Sequence, residues 1–147
     1  AYFYRRSQKG GFDAVLMTQG MEAIKANIEA IETNENATDK DEDLLTTMEV
    51  VYEYYLRGFD FLPIDIYKSH ATKFLVEDGK ILPPFVAISG LGENAAWDLM
   101  RGREGKTFLS IEEVAAACPK VSKTHIQMLK DAGAFGSLPD TSQISLF

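Results

Sequence analysis

The sequence predicts a mostly helical α+β fold: amphipathic helices, a small β-hairpin, pairs of short helices around tight turns, and a flexible tail. Three observations carry this. Apolar residues recur at helical spacing between Asp13 and Arg57, and again beyond Glu93. Between Phe61 and Leu82 the pattern changes to short β-prone runs. Glycine, proline, serine and threonine stand at the places where one pattern gives way to the next.

The first helix is expected from Asp13 to about Thr33. Met21, Ile24, Ile28 and Ile31 fall on one face, with Lys25, Glu29 and Glu32 between them. Asn34 to Asp41 is polar and broken and reads as a loop. A second helix is expected from about Glu42 to Arg57, with Leu44, Met48, Val51 and Tyr55 as its stripe and Gly58 just past its end. Both stripes are read as core packing.

Phe61 to Tyr67 is short and β-prone. Phe74-Leu75-Val76 and Lys80-Ile81-Leu82 flank Glu77-Asp78-Gly79, and an Asp-Gly pair between apolar runs predicts a hairpin. Pro83-Pro84 ends it. Three short helices follow. Glu93 to Arg103 is one, and Ile111 to Ala117 is another, with Ser110 as N-cap and Glu113 at the capping-box position. Lys123 to Ala132 is the third, closed by Gly133. Ser137 to Ser142 is expected to be a flexible tether.

The length of 147 residues and a hydrophobic content of 46% suffice for one ordinary domain or two small units packed together. The single cysteine, Cys118, excludes a disulfide framework and any zinc or iron–sulfur site built on several thiolates. No apolar run approaches the roughly 20 residues of a membrane span. The opening Ala1-Tyr2-Phe3-Tyr4, followed by Arg5 and Arg6, does not read as a signal peptide. An intracellular, cytoplasmic protein without membrane contact is therefore expected. The missing initial methionine and the aromatic opening lead us to expect a piece of something longer.

A net charge of −7 argues against nucleic acid when taken alone. The charge is uneven, however. Asp39, Asp41, Glu42 and Asp43 cluster with Glu35, whereas Arg101, Arg103, Lys106, Lys120 and Lys123 lie in the later half. Over a Debye length of roughly 8 Å, local charge outweighs the total.

Three strings carry chemistry. In Ile88-Ser89-Gly90-Leu91-Gly92-Glu93-Asn94-Ala95-Ala96, two glycines flank one apolar residue and a helix begins directly after. The glycines permit positive φ and close backbone approach, and Leu91 can tuck inward. The new helix presents free N–H groups and the positive end of its dipole, which suits a phosphate oxygen. Contact through amides reads no bases, so binding is expected to be independent of sequence. Ala95 and Ala96 permit close helix packing. The string apolar-x-Gly-apolar-Gly-x-x-Ala resembles the helix–hairpin–helix, a common non-specific DNA-binding motif.

Val114 to Thr124 repeats the layout without the glycines. Lys120 and Lys123 can reach phosphates, and Ser122 can cap the helix after it. The third string is the end of the chain, Gln143-Ile144-Ser145-Leu146-Phe147. An apolar pair on a polar tether either folds back or fills a partner's pocket. It resembles the bacterial pentapeptide that binds the β sliding clamp. Gln143, Leu146 and Phe147 are the anchors in that reading, with Ile144 and Ser145 as spacers.

Together and in order, these features resemble the C-terminal part of the PolC-type replicative DNA polymerase III α subunit of low-GC Gram-positive bacteria. The match runs from Ala1-Tyr2-Phe3 and Phe12-Asp13 through Arg57-Gly58-Phe59, Ile64 to Ser69, Leu82 to Phe85 and Gly90 to Ala96. It continues through Lys120 to Thr124 and closes on Leu138 to Phe147. The polar stretch Asn34 to Asp43 departs from the pattern and reads as a variable loop.

The resemblance implies that residues 1–12 end a fingers domain, that 13–136 form a helix–hairpin–helix DNA- and clamp-binding domain, and that 137–147 form a tail with the clamp motif. Gly90, Leu91, Gly92, Asn94, Arg101, Lys120 and Lys123 are then the DNA-binding residues. The parent enzyme would be a DNA-directed DNA polymerase, a nucleotidyltransferase with a proofreading 3′–5′ exonuclease, using Mg²⁺ or another divalent metal at palm-domain aspartates. By the same resemblance this segment holds no catalytic residue, metal or cofactor. Its partners would be duplex DNA and the clamp at the replication fork.

The alternative is a stand-alone helix–hairpin–helix repair protein or glycosylase-like enzyme. Such glycosylases place a catalytic lysine where this chain has Asn94, which cannot form a Schiff base. His70 and His125 lack a metal or triad pattern and are expected to be surface or packing residues. Asp41 and Asp43 read as a solvated loop rather than a Mg²⁺ site.

Overall fold

A computed structural model describes residues 12–141 together with Phe3. The expected first helix is two. Helix α1 (Ala14–Met17) is capped by Asp13, whose carboxylate accepts from the N–H groups of Val15 and Leu16 at 3.0 and 3.3 Å. Gly20 then takes φ +104°, which no continuing helix permits, and α2 (Met21–Glu32) begins after it. The break is fixed from across the core: the Tyr55 hydroxyl donates to the Met17 carbonyl at 2.8 Å.

Helix α3 (Asp39–Leu56) starts three residues earlier than the sequence pattern indicates. Thr38 and Asp41 form a capping box. The Thr38 hydroxyl accepts from Asp41 N–H at 3.2 Å, and the Asp41 carboxylate accepts from Thr38 N–H at 3.0 Å. Asp39, Asp41 and Glu42 therefore occupy a helical first turn, where negative charge complements the dipole, and are not loop residues. Arg57 ends the helix and Gly58 follows at φ +88°. Helices α2 and α3 pack against each other around Ile24, Met48 and Val51.

Next to this pair lies an aromatic cluster. The Phe3 ring stands 5.3 Å from Phe12, 5.1 Å from Tyr54 and 5.7 Å from Phe61, and Phe12 stands 5.0 Å from Phe74. Strands β1 (Leu75–Glu77) and β2 (Lys80–Leu82) form the expected hairpin, with Leu75 opposite Leu82 and Glu77 opposite Lys80. Asp78 and Gly79 take φ +51° and +76°, the double positive φ of a type I′ turn. The Phe61 run adds only one parallel bridge, to Ile81. Pro63 has no N–H to extend the ladder, and the chain then turns at Asp65, whose carboxylate accepts from Tyr67 and Lys68 N–H.

After Pro83-Pro84 a single 3-10 turn, Phe85–Ala87, leads into α4 (Glu93–Arg103), α5 (Ile111–Ala117) and α6 (Lys123–Asp131). Ala132 caps α6 and Gly133 follows at φ +77°. Ser110 caps α5 as expected, but the Glu113 carboxylate accepts from Leu109 N–H at 2.6 Å, one residue outside a closed capping box. The carbonyls of Pro139 and Asp140 accept from Ile111 and Glu112 N–H at 2.9 and 3.1 Å. The start of the expected tether is thus docked on the first turn of α5. Among the described residues, no helix is long and apolar enough to cross a membrane.

Candidate nucleic-acid interface

Residues 88–92 make a tight turn between the 3-10 segment and α4. The Leu91 N–H donates to the Ile88 carbonyl at 3.1 Å, and both side chains are buried. Gly90 takes φ +91°, the left-handed conformation expected of it. A Cβ there would also come within 3.0 Å of the Met128 Cε. Gly92 differs from expectation. It takes φ −78° and ψ 169°, ordinary extended backbone, and a Cβ on it would meet nothing within 4 Å. Its glycine character leaves the entrance to α4 bare rather than solving a backbone problem.

Gly92 is the N-cap of α4, and no side chain caps this helix. Its 11 residues give it a developed dipole, with Glu93 the acidic residue of the first turn. Ser89, Gly90, Gly92, Glu93 and Asn94 are all exposed around this end. Leu91, also among the predicted site residues, presents no side chain to a ligand; it anchors the turn. Ala95, Ala96 and Leu99 are buried and seat α4 in the core.

The second unit copies the first. Val121 N–H donates to the Cys118 carbonyl at 3.0 Å, and Val121 is buried as Leu91 is. Ser122 is the N-cap of α6 at φ −77° and ψ 169°. Here, however, the cap is closed. The Ser122 hydroxyl accepts from His125 N–H, and the His125 Nδ1 accepts from Ser122 N–H, each at 3.2 Å. His125 is thus a capping residue, a role the sequence pattern did not reveal.

Asp98 joins the two units. It is buried on α4, and its Oδ2 accepts from the Lys120 N–H at 2.8 Å. Its Oδ1 accepts from Arg101 Nη2 at 2.6 Å and Nε at 2.9 Å. Burial pushes the Asp98 pKa up. The Lys120 N–H and the Arg101 guanidinium push it down and prevail, holding the carboxyl below its ordinary range. Arg101 also donates to the Ala117 carbonyl at 3.1 Å, while its side chain stays 60% exposed. This predicted phosphate ligand therefore clamps the two units while facing solvent. Close packing completes the joint at Gly102, where a Cβ would lie 2.5 Å from the Cys118 Sγ and 2.8 Å from the Ala117 oxygen.

Lys120 and Lys123 flank the second turn, both exposed, with Lys123 as the first residue of α6. Gly90, Gly92 and Asn94 thus gather at the mouth of one unit, and Lys120 and Lys123 at the other. Gln143, Leu146 and Phe147 lie outside the described residues. Asp98 was missed in the sequence, although a carboxylate three residues after Ala95 sits on the apolar face of α4 and signals a buried partner. The described residues contain no group of three or more His, Cys, Asp or Glu that could hold a metal ion.

The charge is segregated by element. Between Met21 and Glu53 there are ten carboxylates and two lysines, a formal −8 in a chain of −7. The α2–α3 pair thus carries the whole excess, and the part that bears the two turns is close to neutral.

A helix–hairpin–helix motif family model matches residues 58–144. Over its full length the chain is 42% identical to DNA polymerase III PolC-type of Thermotoga petrophila, across 149 residues, and to that of Streptococcus agalactiae, across 151. The Streptococcus pneumoniae relative is 41% identical across 150 residues. The chain spans about a tenth of the length of these relatives, 10% in each case. It belongs to the helix–hairpin–helix motif family and is similar along its whole length to a segment of PolC-type DNA polymerase III.

Proposed function

We propose that this chain is the duplex-DNA-binding and sliding-clamp-binding segment of a replicative DNA polymerase. The observation that carries the DNA reading is the bare, exposed start of α4 behind the Gly90 turn, where unpaired N–H groups meet the positive end of a helix dipole. A phosphate oxygen fits there, and amide contacts grip DNA without reading bases. Lys123 supports the same reading. A cation in the first turn of a helix opposes the dipole by about 0.3–1 kcal/mol, a cost that an anionic ligand reverses. Gly90, Gly92 and Asn94 then hold one phosphate, Lys120 and Lys123 approach another, and Leu91 and Arg101 hold the frame.

The parent enzyme in this reading copies DNA in the bacterial cytoplasm and proofreads with an exonuclease, and its divalent metal sits at catalytic carboxylates outside this segment. The full-length likeness to PolC-type polymerases supports that parentage. Gln143, Leu146 and Phe147 are the proposed clamp anchors.

Duplex binding is tested by fluorescence anisotropy at several salt concentrations, comparing the parent chain with Gly92→Asp. We expect weak, sequence-independent binding by the parent chain, a shallow salt slope of only a few phosphates, and a loss of about tenfold or more in the variant. Equal affinities overturn the reading. For the tail, deletion of residues 143–147 should abolish capture by immobilised clamp with an unchanged circular dichroism spectrum; capture that survives the deletion sinks the clamp assignment.

A further inference from the structure

Trp97, the single tryptophan of the chain, is 47% exposed on α4. Large aromatic rings are usually highly buried, so one left half in water on a rigid helix is unusual. It is also held still. The His70 ring meets it edge-on at 5.2 Å and 81°. His70 is itself pinned, its Nδ1 accepting from Thr72 and Lys73 N–H at 3.0 and 3.1 Å. Nearby, Tyr67 is 41% exposed and stacked on Phe108 at 6.0 Å. Its hydroxyl accepts from Phe108 N–H at 3.1 Å.

Between Tyr67 and Trp97 lies an open cleft of about 590 Å³, lined also by Arg101, Arg103, Glu104 and Lys106. Its size falls in the range of roughly 300–1,000 Å³ typical of small-ligand sites. Arg101 is already paired with Asp98, which leaves Arg103 and Lys106 as the cations beside Glu104. Arg103 is fixed there, donating to the Ile66 carbonyl at 3.0 Å and lying 5.6 Å over the Phe85 ring. Two pre-set, partly exposed aromatic rings with cations beside them suit a ligand that joins a planar ring to an anion.

We propose that this cleft is a stacking site for an unpaired nucleotide of a single DNA strand, with Trp97 against the base and Lys106 toward the phosphate. Such a platform tolerates any base, because every base has a π-face. Trp97 lies five residues after Gly92, roughly 7.5 Å along α4, so the cleft is set apart from the bare helix start. The site goes beyond the duplex reading, since a paired and stacked base cannot enter it.

The lone tryptophan supplies its own reporter. The chain is titrated with a short oligothymidylate, a duplex of the same length and thymidine monophosphate, following Trp97 emission and the anisotropy of labelled DNA. The strand should quench emission saturably, at concentrations where the mononucleotide does not. Trp97→Ala should lower strand affinity by about 5- to 150-fold while leaving duplex affinity unchanged. Lys106→Glu should weaken strand binding and keep the thermal melt of the parent chain. Absence of quenching, unchanged strand affinity in Trp97→Ala, equal quenching by the mononucleotide, or equal losses on strand and duplex would each overturn the proposal. The Gly92→Asp comparison on duplex is a separate readout, so failure of one site is distinguishable from failure of the other.

Discussion

Gly92 and Ser122 occupy equivalent N-cap positions, at φ −78° and ψ 169° and at φ −77° and ψ 169°, yet only Ser122 caps its helix. One unit commits its His125 and Ser122 amides to a local capping box, and the other has no side chain on its first-turn amides. The two variants that exchange these roles should therefore act in opposite senses. Ser122→Ala should cost about 1 kcal/mol of stability in urea unfolding and change duplex affinity by less than about twofold. Gly92→Asp supplies a cap in open space. It should add a few tenths of a kcal/mol while weakening duplex binding. If Gly92→Asp lost both stability and binding, the bare N-cap would be a packing requirement instead.

Asp98 should govern the acid limit of the fold. Its folded pKa is lowered below the unfolded carboxylate value of about 3.9, so its contribution is fully present above about pH 4 and is lost as pH falls through the folded pKa. Asp98→Asn should flatten the loss of stability below about pH 4, read from urea midpoints. Asp98→Ala also strips the Lys120 N–H of its acceptor and should cost about 1–3 kcal/mol at neutral pH. Because Arg101 is well exposed, its ion pair adds little to that figure.

Gly102→Ala separates helix propensity from packing. In a free helix the change gains about 1 kcal/mol. Here the added Cβ meets the Ala117 carbonyl, which is backbone and cannot rotate away, and the Cys118 Sγ. We expect a net loss of about 1–3 kcal/mol by urea unfolding. Adding Cys118→Ala to Gly102→Ala should recover only part of it, since the carbonyl remains. A stabilised single variant would show that α4 and α5 can move apart freely.

What the sequence made legible were features with local causes. The ends of α4 and α5, the Asp78-Gly79 hairpin and the inward Leu91 all follow from residues within a few positions of each other. The break at Gly20 was hidden because the apolar period runs on through it, and a glycine inside a periodic pattern does not announce its φ. The early start of α3 was hidden because a Thr38–Asp41 cap in a polar run looks like loop chemistry. The joint between the two units was the least visible. Asp98, Lys120 and Ala117 meet only once α4, α5 and α6 have packed, and Gly102 shows its purpose only against Cys118. The open cap at Gly92 was read for flexibility, whereas the backbone there is ordinary and the missing side chain is what leaves the helix end accessible.

His70 offers a pH readout that needs no ligand. Burial, Lys73 and Arg103 all press its pKa below the ordinary histidine value of about 6.5. The neutral ring is also the one the fold uses, because Nδ1 must be unprotonated to accept from Thr72 and Lys73. The contribution is therefore fully present above about pH 6.5 and lost as pH falls through the lower folded value. An imidazolium formed beside an indole quenches it, so Trp97 emission should fall on acidification with a midpoint below about 6.5. His70→Ala should abolish that transition. A midpoint above the ordinary value would mean that His70 gains an anionic partner in solution, and its two backbone bonds would then not be what holds Trp97 in place.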